Sequence, residues 1–218
     1  MLKDEAMRIG KEMGAIEAAE LSPVLMLGSN SRLNGPEGQS FISKYVIAPN
    51  ELRGVQFFHT DLEDAPGVDI SGDLFDDDVL EALKQLNART IVCANILEHV
   101  ERPASLVDRC LSLLPTSGHI VFTVPNSFPY HPAPIDTYFR PDGAALASLC
   151  NNSQIITVDE FDCGSFALQL SKRPQLVVRY ALHIMLFLVS FRRAVSGLHR
   201  FLWLVRNYNI TIVVAKKL

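Results

Sequence analysis

Residues 90–140, TIVCANILEHVERPASLVDRCLSLLPTSGHIVFTVPNSFPYHPAPIDTYFR, decide the fold. Residues 90–94 form a short apolar run with β-branched members, the composition of a strand buried on both faces. Pro103 suits a first helical turn, and Leu106, Val107, Cys110, Leu111 and Leu114 recur behind it at helical spacing. Pro115 and Gly118 stop that helix. Residues 119–124 are a second buried strand, closed by Pro125-Asn126. Strand, helix and strand make a βαβ unit, so the two strands are expected to be parallel with a right-handed crossover. Ligands of such sheets bind outside the carboxyl ends of the strands. Asn95, Glu98, His99, Asn126, His131 and Asp136 all fall at that edge.

Upstream, residues 1–20 are charged and rich in Ala, Glu, Lys and Met. They read as an N-terminal helical cap, with Met7, Ile9, Met13 and Ile16 as its apolar face and Ser22-Pro23 as its end. Residues 24–27 are a first strand, turning at Gly28-Ser29-Asn30-Ser31. A loop at 34–38 and a short helix at 41–47 follow. Residues 55–59 are a second strand ending at Thr60-Asp61, and 68–73 a short third. A helix over 76–87 carries three aspartates at its amino end, where the helix dipole favours them. Downstream, Pro141-Asp142 opens a helix through Cys150. Residues 155–161 and 165–170 are strand-like, either one bent strand or a hairpin about Cys163-Gly164. Residues 210–215 are the last strand.

With 218 residues, about half of them apolar, the chain can bury one full α/β core without staples. The four cysteines are scattered with no C-x-x-C pair and read as reduced packing residues of a cytoplasmic protein. Lys3-Asp4-Glu5 and Glu12 interrupt any apolar opening run, so no signal peptide is expected. The six histidines are dispersed and no H-x-x-x-H occurs, so no metal site is expected either.

The net charge of -4 is unevenly spread. All 24 acidic residues precede position 172, whereas the 47 residues from 172 onward hold nine Lys and Arg and no acid. Such asymmetry suits an anionic partner or a contact with the acidic body itself. Within 172–206, Lys172, Arg179, Arg193 and Arg200 share one helical face and most of the circumference is apolar. The longest uncharged run, 180–191, is too short to span a bilayer. Two main readings stand, a helical insertion packed on the domain or in a homodimer and an interfacial helix on an anionic membrane surface or capping a lipid-linked substrate, with a true membrane span a distant third. Nucleic acid is not an expected partner, because the half of the chain bearing the site is acidic.

In order and motif the chain resembles the class I S-adenosylmethionine-dependent methyltransferases, particularly their small-molecule branch. The likeness rests on Asn95-Ile96-Leu97-Glu98-His99-Val100, on residues 114–126 (LPTSGHIVFTVPN), and on His131-Pro132, Asp136 and Arg140-Pro141-Asp142-Gly143. It implies one domain over 1–218: a Rossmann-like three-layer sandwich with a seven-stranded, mostly parallel sheet. The last strand would be antiparallel, with a helical insertion at 172–206 before it. The implied activity is methyl transfer from S-adenosylmethionine to an oxygen or nitrogen of a small-molecule acceptor, a glycan or lipid-linked intermediate among the candidates.

The front departs from that family. Its first motif is an acid and then G-x-G-x-G, whereas this chain has Met26 and then Gly28-Ser29-Asn30-Ser31-Arg32. That departure is the case for the alternative reading, a non-catalytic relative serving as a binding or scaffold protein. The resemblance implies cofactor binding by Gly28, Ser29, Asn30, Asp61, Asp73, Leu74 and Asn95. Asp61 at the end of strand two suits ribose hydroxyls, with Glu63 as runner-up, and Asp73 suits the adenine amino group. Each aspartate can equally serve its own turn. Catalytic candidates are His99, His131 and Asp136, since histidine is the side chain tuned to take a proton near neutral pH. Tyr138 and Arg140 are candidates for holding the acceptor.

Overall fold

The computed structural model describes residues 1–29, 40–131, 135–172 and 203–218. Seven strands form one sheet: β1 (Val24–Leu27), β2 (Phe57–Asp61), β3 (Ile70–Ser71), β4 (Thr90–Ala94), β5 (His119–Ser127), β6 (Ser153–Ser165) and β7 (Asn207–Lys217). Their spatial order is β3-β2-β1-β4-β5-β7-β6. The pairs from β3 to β5 are parallel, and β7 runs antiparallel to both β5 and β6. The βαβ unit of residues 90–124 therefore has the expected parallel strands.

Both faces of the central strands are buried, and side chains alternate between two cores as a strand dictates. Leu25, Leu27, Ile91, Cys93, Ile120, Phe122 and Val124 face one core. Helices α4 (Asp77–Lys84), α5 (Pro103–Leu113) and α6 (Gly143–Ser148) cover that face. Val24, Met26, Val92, Val121, Ile212 and Val214 face the other core. There they meet α1 (Lys3–Gly14) and α3, a helical run of Ser40–Ile42, a π-helical turn Ser43–Ile47 and Ala48–Glu51. The result is helix layer, sheet, helix layer, the α/β sandwich expected from the sequence. All four cysteines are free and buried.

Local signals place the helix ends. The Asp76 side chain accepts from the Asp78 backbone N–H at the start of α4, and Asp142 does the same for Ala145 at the start of α6. Pro103 stands in the first turn of α5.

Four expectations need correction. The N-terminal cap is two helices, α1 and α2 (Ala18–Leu21). The buried face of α1 is Glu5, Ala6, Ile9 and Met13, whereas Met7 is 45% exposed. Residues 153–165 are a single strand with register shifts near Thr157 and Cys163, not a hairpin. Finally, residues 165–170 do not extend it: α7 (Phe166–Lys172) follows directly, because Cys163 and Phe166 turn into a third small core with Trp203, Tyr208 and Ile210. The helical insertion expected at 172–206 lies outside the described residues over 173–202. Among the described residues, no helix is long and apolar enough to cross a membrane.

Helix α1 crosses α3 at Gly10, where an added Cβ would stand 1.9 Å from the Tyr45 carbonyl oxygen of the π-helical turn. No side-chain rotation relieves a clash with backbone. Gly10→Ala is therefore expected to cost about 1–3 kcal/mol, read as a lowered urea midpoint against the unsubstituted chain.

Candidate active site

The strand order reverses between β1 and β4, and open α/β sheets bind their ligands at that point. A cavity of about 570 Å³ opens there. Its lining includes Gly28 and Ser29 after β1, Asp61 at the end of β2, Asp73 and Leu74 after β3, and Asn95 and His99 after β4. Six of the seven residues assigned to the cofactor, and one of the three catalytic candidates, thus share one cavity. Asn30 lies outside the described residues.

The backbone at this edge is tightly turned. Gly28 has φ +60°, and a Cβ there would meet Ile96 Cδ1 at 3.1 Å, so glycine suits the position on both counts. Asn95 has φ +53°, a left-handed conformation that asparagine tolerates better than most residues. Ser29 is buried; its N–H donates to the Thr60 carbonyl, and its hydroxyl lies 2.8 Å from His59 Nδ1. Burial lowers the pKa of His59. The two strand-end aspartates also serve their own turns, Asp61 accepting from the Glu63 N–H at 3.4 Å and Asp73 from the Phe75 N–H at 2.9 Å. Both aspartates line the same cavity. Glu63 does not line it. Across the cavity, the Arg102 guanidinium lies 4.6 Å from the centre of the Phe75 ring, and both residues form its wall.

The sequence did not single out Glu5. Its side chain comes from α1, is fully buried, and reaches the carboxyl ends of β4 and β5. Glu5 Oε1 accepts from Asn95 Nδ2 at 2.7 Å and from Thr123 Oγ1 at 2.6 Å, while Oε2 accepts from the Leu2 N–H at 2.9 Å. The only signal in the sequence is its spacing: Glu5, Ile9 and Met13 are four apart and share the buried stripe. The amide nitrogen of Asn95 is committed to this carboxylate. Met1, at the start of the same segment, lines the cavity.

Behind His99 lies a second group. His99 Nδ1 is 2.5 Å from the Ile135 carbonyl oxygen, and its ring meets that of His131 edge-on with centroids 5.0 Å apart. His131 Nδ1 is 3.1 Å from the Pro129 carbonyl oxygen and 3.3 Å from Asp136 Oδ2. A histidine backed by an aspartate, as expected, is therefore present. Burial lowers the pKa of His131. Burial opposes ionisation of Asp136, yet Arg140 at 2.6 Å and the N–H groups of His131 and Tyr138 hold its carboxyl below the usual range. Arg140 thus turns inward to Asp136. Tyr138 is 64% exposed, takes φ +58°, and stacks on Tyr130. His131, Asp136, Tyr138 and Arg140 do not line the cavity; Ile135 and His99 stand between. Glu98, under both histidines, is fully buried, and burial pushes its carboxyl up to about 8.

By sequence, no family model matches the chain and no curated protein matches it. Solved structures do. A Galdieria sulphuraria protein assigned as a sarcosine dimethylglycine methyltransferase matches with a TM-score of 0.55 at 12% identity, over 98% of this chain and 84% of that one. Coclaurine N-methyltransferase, solved with N-methylheliamine and S-adenosylhomocysteine, matches with a TM-score of 0.52 at 12% identity, over 99% and 70%. Phosphoethanolamine N-methyltransferase 2 of Haemonchus contortus, solved with S-adenosylmethionine, gives 0.50 at 12% identity, over 98% of this chain. The chain spans about half, 52%, of that enzyme's length. The fold is that of the class I S-adenosylmethionine-dependent methyltransferases. Within this methyltransferase fold, the cavity lies at the sheet's switch point and the Glu98–His99–His131 group lies beside it under the loop after β5.

Removing the Glu5 carboxylate strips the acceptor from the buried Thr123 hydroxyl and the half-buried Asn95 amide. Glu5→Ala is expected to lower stability by about 3 kcal/mol, measured by urea unfolding, with Glu5→Gln recovering part of the loss because an amide oxygen still accepts.

Proposed function

We propose that this chain transfers a methyl group from S-adenosylmethionine to a nitrogen or oxygen of a small molecule. One observation carries the reading: two strand-end carboxylates, Asp61 and Asp73, face one cavity with the tight Gly28-Ser29 turn at the switch point of a methyltransferase fold. The residues present fit the cofactor. Ribose hydroxyls and an adenine amino group are donors, and Asp61 and Asp73 are acceptors at neighbouring strand ends. Gly28 keeps the backbone bare of a side chain where the cofactor's amino-acid part would lie. When bound, the cofactor supplies a methyl group already activated by its positive sulfur.

The chain's own task is then chiefly alignment and exclusion of water. Leu74, Phe75 and Ile96 give the cavity apolar walls, and Met1 and Ile42 close its other side. Asn95, pinned by Glu5, fixes the floor after β4. His99, His131 and Asp136 form the acceptor end: they bind the acceptor's polar group and take the proton it loses as its lone pair becomes a bond to carbon. Tyr138 and Arg140 have smaller parts there, Arg140 as a support for Asp136. Glycans and lipid-linked intermediates stay in view as acceptors because of the basic residues from 172 onward, and the same residues suit contact with an anionic membrane or a second copy of the chain.

The second reading, a binding protein of the same fold that no longer holds cofactor, draws on Met26 in place of the usual acid and on Asn30 and Arg32 in place of the second and third glycines. Calorimetric titration with S-adenosylhomocysteine separates the two. Micromolar binding supports methyl transfer; a folded protein that ignores millimolar ligand overturns it. Asp61→Ala is expected to weaken that binding about 10- to 100-fold by removing charge-assisted hydrogen bonds, with no change in urea midpoint. Unchanged affinity takes Asp61 out of the site.

A further inference from the structure

Two aspects of the group behind His99 are unaccounted for by proton transfer alone. First, neither carboxylate oxygen of Glu98 has a hydrogen-bond partner among the described residues, although the side chain is fully buried. Buried polar atoms are almost always paired, so an orphan of this kind calls for a ligand. Second, both imidazoles are oriented alike. Each places Nδ1 against a backbone carbonyl, which can only accept, so each Nδ1 carries its hydrogen. Both Nε2 atoms are then bare lone pairs. They lie 3.7 Å (His99) and 4.0 Å (His131) from Glu98 Oε1, too far for hydrogen bonds. Two imidazole lone pairs and a buried carboxyl thus converge on one point.

We propose that Glu98, His99 and His131 form a binding site for a divalent transition-metal ion. The three ligand atoms lie within 4.8 Å of one another. Bonds of about 2.1 Å around one ion put neighbouring ligand atoms about 3.0–3.5 Å apart, so side-chain adjustments of less than an ångström close the site. The outer contacts fit as well. Histidines that hold metals donate their second N–H to a carbonyl or carboxylate, which fixes tautomer and ring orientation. His99 does so to Ile135, and His131 to Pro129 with Asp136 alongside. Two imidazoles and one carboxylate favour manganese, iron, cobalt or zinc over magnesium or calcium, which prefer all-oxygen shells. The histidine side chains are 18% and 26% exposed, so an ion can enter and keeps open positions.

The ion's use rests on the methyl-transfer reading. His99 lines the cavity, so an ion on its Nε2 stands at the acceptor end. An acceptor hydroxyl bound there becomes more acidic and gives its proton to water, leaving the oxygen lone pair for the methyl carbon. The metal thus performs both tasks given above to the histidines. Thirty-two residues separate His99 from His131, which is why no spacing motif announces the site.

The test uses the full chain, stripped with chelator and titrated with Co²⁺, read by the visible ligand-field bands and by metal content. One ion per chain is expected, displaced by Zn²⁺ and indifferent to Mg²⁺. Glu98→Gln and His131→Ala should each lower the affinity about 100-fold or more, with circular dichroism showing both folded. No ion bound by the folded chain at millimolar Co²⁺ overturns the proposal. So does undiminished affinity in both variants, which places the ion elsewhere. Titration with S-adenosylhomocysteine is run separately. Cobalt without cofactor binding sinks the methyl-transfer reading and keeps the site, and the reverse result sinks the site alone.

Discussion

A single carboxylate holds the N-terminal helix to the edge of the sheet where the cavity opens. Burying a charge costs several kcal/mol unless donors surround it. Glu5 finds three, the Leu2 N–H, the Asn95 amide and the Thr123 hydroxyl. Each comes from a different element: the helix's own start, the turn after β4, and β5. The contact therefore fixes three things at once. It seats α1 on the face formed by Val24, Val92 and Val121, it holds the left-handed turn at Asn95, and it brings Met1 to the cavity. The first residues of the chain are for this reason part of the site.

Three buried carboxylates at this edge show how environment decides the state of one chemical group. Glu5 is met by three donors. Asp136 is met by Arg140 and two backbone N–H groups, and its carboxyl is held low. Glu98 has no such side-chain or neighbouring donor among the described residues, and burial, with Glu5 nearby, pushes its carboxyl up to about 8. Asp136 and Glu98 are both buried yet shift in opposite directions, and the donors around Asp136 make the difference. The two supported carboxylates act as fixed parts of the framework. The unsupported one is where a proton or a cation has most to gain.

Much of this was legible in the sequence, for physical reasons that differ by region. The central strands are buried on both faces, so residues 90–94 and 119–124 are apolar almost throughout, and the helix between them repeats at 3.6. Asp76 and Asp142 announced helix starts because a cap needs a short side-chain acceptor. The cavity-lining residues were found because strand ends are fixed once strands are fixed. Long-range pairing was hidden. Glu5 sits 90 residues from Asn95 and 118 from Thr123, and only its four-residue spacing with Ile9 and Met13 distinguishes it from the charged residues beside it. Ser165 onward carries strand-like residues, yet the chain coils there because Phe166 has Trp203 and Tyr208 to pack against. Tertiary contact overrode local preference. The apolar face of α1 was misjudged by the same mechanism, with a glutamate taking a place in the stripe that Met7 had been given.

The sheet divides labour by strand. The ends of β1, β2 and β3 present Gly28, Ser29, Asp61 and Asp73, a surface of bare backbone and carboxylates suited to a ligand rich in hydroxyl and amino donors. The segments after β4 and β5 present the histidines with their carboxylate supports, a surface suited to lone-pair chemistry. The turn from Asn95 to His99 touches both, with Asn95 bonded to Glu5 and His99 to the Ile135 carbonyl. A displacement of that turn moves the cavity floor and the histidine pair together. A rigid five-residue turn tied at both ends provides that coupling with few parts, and it explains why α1, far away in sequence, is fastened here rather than at the middle of the sheet.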